Sequence, residues 1–174
     1  MRSVRFVSTF FMAIVATACN AQSAANVNLD YDRLILLDAE DLAEAGIGEA
    51  YLQLLPELQK YVSRPASVEE LIDSDIPRYA ILVNGAEYVI YSSDSAGSED
   101  ASWRCAAYVF FKVVNDQLVH TDVRFFAINA GNDLGGLFLT PEQAVTSRVT
   151  LPRPSDWPYL PETAGPWCGQ QRAR

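Results

Sequence analysis

An Asn84-Gly85 pair between two apolar runs constrains the fold of this chain more than any other feature of the sequence. The type I′ turn, one of the two common two-residue hairpin turns, needs positive φ at both central residues, and Asn-Gly is a favoured pair for it. The flanking runs, Tyr79 to Val83 and Ala86 to Tyr91, are therefore predicted to be adjacent antiparallel strands. A two-residue turn sets three pairs on one apolar face: Val83 with Ala86, Ile81 with Tyr88, and Tyr79 with Ile90.

Two longer strands are predicted from alternation over Trp103 to Val114 and Leu118 to Ile128, because nearly all of their odd-numbered positions are apolar. Residues opposite each other share a face, so the odd positions must pair across an odd-length loop such as Asn115-Asp116-Gln117. The other face of this hairpin is then expected to present a mixed set of side chains that includes Arg104, Tyr108, Lys112, His120, Asp122 and Arg124.

Helical spacing dominates the first third of the chain. From Ile47 to Val62 the apolar residues recur every three or four positions, which predicts one stripe that faces a core. Asp38 is suited to cap the start of this helical region. Gly46 and Gly48 are expected to divide the region into two helices, and Pro56 to kink or restart the longer one.

Two further helix starts are predicted from capping residues. Ser67 to Glu70 fits a capping box and predicts a short helix that ends near Asp73. Thr140 to Gln143, with proline at the first helical position, predicts a last helix that runs to about Val149.

The predicted helices come first, the hairpin strands follow in the middle, and one helix comes afterwards. This order predicts an α+β fold. We expect one antiparallel sheet of about four to six strands, with short strands at Leu34 to Leu37 and Leu137 to Leu139. N-terminal helices and one C-terminal helix pack on this sheet. An extended proline-rich C-terminal tail is held against the body by Trp157, Tyr159 and Trp167.

The N-terminus predicts export from a bacterial cell. Residues 1–18 hold a basic start at Arg2 and Arg5 and then a short apolar run, which is typical of a secretory signal. Ala16-Thr17-Ala18-Cys19 resembles a lipobox with alanine in place of the usual leucine or valine, so Cys19 is a candidate for lipidation. The alternative is plain cleavage after Ala18, Ala21 or Ser23. Residues 19–32 are then an exposed tether and 33–174 a single globular domain, placed in the periplasm or anchored to the outer membrane.

The two remaining cysteines, Cys105 and Cys168, are predicted to form a disulfide in an oxidising compartment, with two buried thiols as the alternative. Such a bond closes a loop of about 64 residues and contributes about 4 kcal/mol in the chain-entropy model.

The negative charge of the chain limits its partners. The full chain carries −9, and loss of the two arginines of residues 1–18, which contain no acid, takes it to −11. Phosphate neutralisation on a nucleic acid is excluded by this charge, and anionic lipid headgroups repel it. A basic protein partner is favoured, although solubility alone also accounts for the charge.

No catalytic signature stands out, since the sequence lacks nucleophile-elbow, phosphate-loop, zinc-protease and dinucleotide motifs. The single histidine, His120, has Asp122 two residues away as a partner able to orient its ring, but no nucleophile is identified beside them. This pair is the weak candidate for catalysis, and a structural role is the commoner one. No cofactor is predicted.

Two loops are candidates for binding. The acidic loop with Asp94, Glu99 and Asp100 lacks the spacing of an EF-hand, so no metal site is predicted there. The main alternatives are a solvated loop and a loop that contacts a partner. The segment Gly131 to Gly136 predicts tight turns, or a binding loop that presents Asn132 and Asp133. Tyr108 and Arg124 complete the candidate binding residues.

In size, export, charge and lack of catalytic motifs, the chain resembles periplasmic inhibitors and immunity proteins of interbacterial toxins, with no specific motif in common. The expectation is an exported, acidic envelope protein that recognises or inhibits a basic protein. The alternatives are an envelope hydrolase that uses His120 and Asp122, and a structural lipoprotein.

Mass spectrometry of the mature N-terminus tests the export prediction. We expect a chain without residues 1–18 that starts either at an acylated Cys19 or, without modification, at Cys19, Gln22 or Ala24. Recovery of the protein with Met1 still attached would contradict the export prediction and, with it, the predicted disulfide.

Overall fold

The computed structural model describes residues 28–93 and 99–162, apart from the side chains of Glu99 and Asp100. This part of the chain folds into helices and antiparallel strands, so the predicted α+β class is confirmed. In chain order the elements are β1 (Ile35–Leu36), α1 (Ala39–Glu44), α2 (Ile47–Leu58), β2 (Val68–Asp73), β3 (Arg78–Val83), β4 (Ala86–Ser92), α3 (Glu99–Gln117), β5 (Arg124–Ile128), β6 (Gly135–Leu139) and α4 (Pro141–Ser147).

Several predictions concern residues outside the described ranges. They are the signal sequence over 1–18, Cys19 and the tether up to residue 27, Asp94, Cys168, Trp167 and the tail after residue 162, together with the side chains of Glu99 and Asp100. Within the predicted tether, Leu29 is buried beside Phe126 and Leu137. No helix in the described residues is long and apolar enough to cross a bilayer.

The described strands form two three-stranded antiparallel sheets instead of the single sheet that was predicted. Sheet A has the order β1-β6-β5, and sheet B has the order β2-β3-β4. The reason for the division is that the segment expected to connect them, Trp103 to Val114, is helical and lies in α3. Beyond β5, Tyr159 forms an isolated antiparallel bridge with Ala127, with N···O distances of 2.8 and 3.0 Å.

The Asn84-Gly85 hairpin forms as predicted. The two residues have φ of 49° and 86°, and Val83 pairs with Ala86 and Ile81 with Tyr88. The third predicted pair is wrong, because an irregularity between Tyr79 and Ala80 shifts the register and sets Tyr79 opposite Tyr91. Tyr79, Ile81 and Ile90 are nevertheless all buried, so this part of the predicted apolar face covers the core, whereas Ala86 beside the turn is exposed.

The strand predicted over Trp103 to Val114 is wrong, since α3 occupies it. Apolar residues stand at even as well as odd positions, and buried side chains of both parities include Ala106, Ala107, Phe110, Phe111, Val113 and Val114. A helix that contacts other elements on several sides, here α1, α2, β4 and β5, loses the one-sided stripe that identifies a surface helix. A 12-residue apolar run also exceeds the usual strand length, which the parity argument ignored.

The end of α3 replaces the predicted loop Asn115-Asp116-Gln117, and of the second predicted strand only β5 is extended. Asn115 acts on β5 as a neighbouring strand would. Its Oδ1 accepts from Phe125 N–H at 2.9 Å, while its Nδ2 donates to the carbonyls of Phe125 and Phe111, both at 2.9 Å. A buried strand residue thereby has both of its backbone groups satisfied by one side chain.

The helix predicted from Ser67 to Asp73 is also wrong, since these residues lead into and form β2. This strand pairs with β3 along its whole length, from Val68 opposite Val83 to Asp73 opposite Arg78. Ser67 N–H donates to Asn84 Oδ1 at 3.2 Å instead of bonding to Glu70. Six residues of strand pairing outweigh a local capping preference worth about 1 kcal/mol.

The other helix boundaries follow the sequence prediction closely. Asp38 caps α1 by accepting from Glu40 N–H at 2.8 Å, and Gly46, with φ of 113°, separates α1 from α2. Pro56 does not restart the helix, because α2 continues to Leu58. Thr140 and Gln143 form the reciprocal capping box of α4, although that helix ends at Ser147 and not at Val149.

Aromatic rings and one glycine fill the contact between α3 and sheet A. Phe125 lies 4.9 Å from the Phe111 centroid and 4.7 Å from the Phe138 centroid, and Phe138 stacks on Tyr61 at 4.9 Å. The Phe125 ring lies so close to Gly136 that a Cβ at this position would overlap it. Glycine at 136 is therefore required by the aromatic stack.

We expect Gly136→Ala to lower the free energy of unfolding by about 1–3 kcal/mol, because the new methyl group forces the Phe125 ring out of its packing. Gly135→Ala is the matched control, since its Cβ would chiefly meet the flexible end of Leu34 at 2.9 Å. Urea denaturation of both variants measures the difference, and an equal loss in the two would contradict the packing argument.

Candidate functional site

The structure places His120 and Asp122 in the turn between α3 and β5, not on a strand face. Both side chains are exposed, and no hydrogen bond joins these two residues, each of which lies in a described range. Alternation of apolar residues predicted a shared sheet face for them, which requires a strand that begins at Leu118. The strand β5 begins only at Arg124. The turn holds the pair at the surface, and neither residue lines the two pockets described below.

Arg124 stabilises this turn from the first position of β5. Its Nη1 lies 2.8 Å from the carbonyl oxygen of Leu118, 3.0 Å from that of Thr121 and 2.6 Å from that of Val123. A guanidinium provides several donors in a fixed geometry, which suits carbonyl groups left unpaired after a helix. The contacts of Arg124 are thus within its own turn, while Tyr108 lies on α3, half-buried against the main core.

Asn132 and Asp133 lie in an exposed 3-10 turn, Gly131–Asp133, that packs beside α1. Asn132 Nδ2 donates to Glu40 Oε2 at 3.1 Å. Leu37 N–H donates to the carbonyl of Leu134 at 2.8 Å, which extends the β1–β6 pairing by one bond. The predicted binding loop is therefore tied to α1, and Asp133 adds a carboxylate to that side of the molecule.

The segment from Asp38 to Glu49 concentrates negative charge, with five acidic residues and no basic one. It forms α1 and the start of α2, beside which lies a groove of about 200 Å³. We call this the acidic groove. Its lining comprises Leu36, Leu37, Asp38, Asp41, Leu42, Ala45, Gly46, Glu49, Ala50 and Gln53. Leu36 is 79% exposed, so the groove offers apolar surface as well as carboxylates.

The start of α2, on one side of the acidic groove, is fixed by a hydrogen-bonded network with sheet B. Tyr79 Oη accepts from Ile47 N–H at 2.7 Å and donates to Glu70 Oε1 at 2.6 Å. The same Glu70 oxygen accepts from Gly48 N–H at 3.1 Å. A carboxylate at the first turn of a helix is favoured by the free N–H groups and by the helix dipole.

Glycines at positions 46 and 48 make room for this network. A Cβ at Gly46 would overlap Glu70 Oε1, and one at Gly48 would lie 3.0 Å from Glu70 Cδ. The positive φ of Gly46 also turns the chain between the two helices. Both glycines are therefore explained by the approach of Glu70, and the acidic groove depends on the helix start that they allow.

A second cleft of about 280 Å³ lies between the end of α2 and β6, and its lining includes Asp30, Arg33, Glu57, Tyr61 and Phe138. Arg33 Nη2 donates to Tyr61 Oη at 3.4 Å, and Glu57 pairs with Lys60 at 2.5 Å. Charges of both signs line this cleft. It therefore offers no single electrostatic preference to compare with that of the acidic groove.

A scan against protein-family models and searches of the curated proteins and the solved structures gave no match to this chain. Within the described residues, no group of three or more histidine, cysteine, aspartate or glutamate side chains is placed to hold a metal ion. On the geometry and charge of the described residues, the acidic groove is the candidate functional site.

The acidic groove was not among the candidates predicted from the sequence, which came from two loops and from one face of a predicted hairpin. The run of carboxylates from Asp38 to Glu49 was visible, as was the cap at Asp38. What the sequence did not give was the approach of β1, which brings Leu36 and Leu37 beside these acids.

The buried tyrosines give the protein a dependence on alkaline pH. Burial, and then the hydrogen bond to Glu70, raises the pKa of Tyr79, and burial raises the pKa of Tyr159 to about 12. In the unfolded chain both ionise near pH 10. Below about pH 10 neither group makes stability vary with pH. Above it the unfolded state loses protons first, and stability falls by up to about 1.4 kcal/mol per pH unit and group.

We expect Tyr79→Phe to lower the free energy of unfolding at pH 8 by about 1–3 kcal/mol, because Ile47 N–H and Glu70 lose their shared partner. The deficit should shrink above pH 10, since the variant lacks one ionising group. Denaturation at a series of pH values tests both statements. Tyr91→Phe, at an exposed position, is the control, and a deficit independent of pH would contradict the assignment.

Proposed function

We propose that this chain is an exported, acidic envelope protein that recognises or inhibits a basic protein partner, and that the acidic groove is its recognition surface. The observation that carries the proposal is the combination in one groove of exposed apolar surface at Leu36 with the carboxylates of Asp41 and Glu49. Lysine and arginine side chains pair an apolar stem with a cationic head, so a basic segment of a partner matches both features.

Charge outside the groove supports the same partner. The charge of −11 for a chain without residues 1–18 attracts a cationic protein from a distance and speeds its association. Asp133, on the turn bound to α1 through Asn132 and Glu40, extends the negative side of the molecule. Long-range attraction and local fit thus favour the same class of partner.

Export, a lipid anchor at Cys19 and a Cys105–Cys168 disulfide belong to this proposal as well. Cys105 is half-buried on α3, and a mass measurement under non-reducing conditions tests its pairing with Cys168. A hydrolase centred on His120 and Asp122 remains the alternative prediction. No contact between these two residues favours it over the acidic groove.

We expect the pair of changes Asp41→Asn and Glu49→Gln to weaken binding to the basic partner by about tenfold, mainly through slower association. The partner is first isolated by affinity capture from native envelope extract at low ionic strength. Binding of the wild-type protein should then decline steadily as salt is raised toward 1 M, because exposed charges are screened.

The matched control is Glu69→Gln with Asp75→Asn, which removes the same charge from exposed positions outside the groove. It should reduce affinity far less than the groove variant. Equal losses in the two variants would assign the effect to net charge alone. Capture that recovers no basic protein would end the proposal of a basic partner.

A further inference from the structure

The four outer edges of the two sheets are protected to different degrees. β1 is only two residues long, and the far side of β5 is bridged by Tyr159. β2 carries three carboxylates in six residues, at Glu69, Glu70 and Asp73. β4 spans seven residues with one acid, Glu87, which forms an ion pair with Arg78. Charges and short length are how natural sheets prevent pairing at their edges. β4 is the longest of the four edge strands, and it carries fewer carboxylates than β2, the other long one.

The hairpin fixes which backbone groups of β4 point outward. Val83 and Ala86 flank a two-residue turn and therefore bond to each other, as do Ile81 and Tyr88 two positions on. Glu87 lies between the two bonded positions of β4, and Val89 follows the second. Both residues consequently direct their N–H and C=O groups away from β3. No described residue forms a backbone hydrogen bond with them. Val89 is 49% exposed, so this edge combines free backbone groups with apolar surface.

We infer that the β4 edge pairs with the β4 edge of a second copy of this chain, with Tyr88 on the two-fold axis. In this register Glu87 faces Val89 of the second copy and Val89 faces its Glu87. The two outward residues of each strand then form four backbone hydrogen bonds, and the sheets join into one of six strands.

Charge selects a second copy of β4 over pairing that involves β2. Two β4 edges bring together only two carboxylates, each already paired with Arg78. Two paired β2 edges would bring together six carboxylates, and a β2 edge paired with a β4 edge would bring together four. The irregularity at Tyr79 and Ala80 ends the regular part of β4 after Val89. The contact is therefore short, and it gives a weak dimer whose formation depends on concentration.

Sedimentation equilibrium of the purified chain at about 0.15 M salt, where charges further apart than about 8 Å are screened, tests this pairing. We expect a monomer–dimer equilibrium. Val89→Glu should weaken the dimer by about tenfold, since it places two carboxylates opposite the two Glu87 side chains. Val89→Lys should keep or strengthen the dimer, because the same positions then carry opposite charges.

Ile72→Glu is the control, since it adds the same charge at an exposed position on β2 and should leave the dimer constant unchanged. Circular dichroism confirms that each variant is folded. Hydrogen exchange supplies a readout without mutation: the amides of Glu87 and Val89 should lose protection on dilution. A monomer at all concentrations up to about 1 mM, or equal effects of the glutamate and lysine variants, would overturn the inference.

Discussion

The hydroxyl group of Tyr79 joins sheet B to the start of α2 and fixes how these two parts of the fold meet. It accepts from the first N–H of α2 and donates to Glu70, whose carboxylate also receives Gly48 N–H. Each member is satisfied by another, which is the condition under which a buried polar network stabilises a unique structure. The strand residues Glu70 and Tyr79 thereby fix the position at which α2 begins.

The shape of the acidic groove depends on the contact between Tyr79 and the start of α2. α2 forms one side of the acidic groove through Glu49, Ala50 and Gln53, so a displaced helix start would move its carboxylate and its apolar surface together. The opposite side is set independently by the cap at Asp38 and by the pairing of β1 with β6. The proposed recognition surface is thus supported from two directions by contacts outside the groove.

Turns and helix caps, whose hydrogen bonds join residues only a few positions apart, could be predicted from the sequence. The Asn84-Gly85 turn, the Asp38 cap and the Thr140 to Gln143 capping box each satisfy their own backbone groups, and all three are present. The failures concern segments whose structure is decided by distant neighbours. α3 has apolar residues on several sides because several elements pack on it, and β2 is a strand because β3 lies beside it.

The candidate site shows the same limit. The acidic residues from Asp38 to Glu49 could be read directly from the sequence, while the prediction of a basic partner came from the net charge of the whole chain. Their juxtaposition with Leu36 could not, since it requires β1 to be placed by a strand near the other end of the chain. Ile35 and Leu36 lie opposite Gly136 and Gly135, about 100 residues away.

The pairing of β1 with β6 also constrains the order in which the two sheets can form. Sheet B is assembled from neighbours within a single short stretch of sequence, so its loops close at low entropic cost. Sheet A joins early and late portions of the chain and must wait until both have been made. Sheet B can therefore form as soon as residues 68–92 have been made. The acidic groove, which β1 lines through Leu36 and Leu37, is complete only once β6 is available to pair with β1.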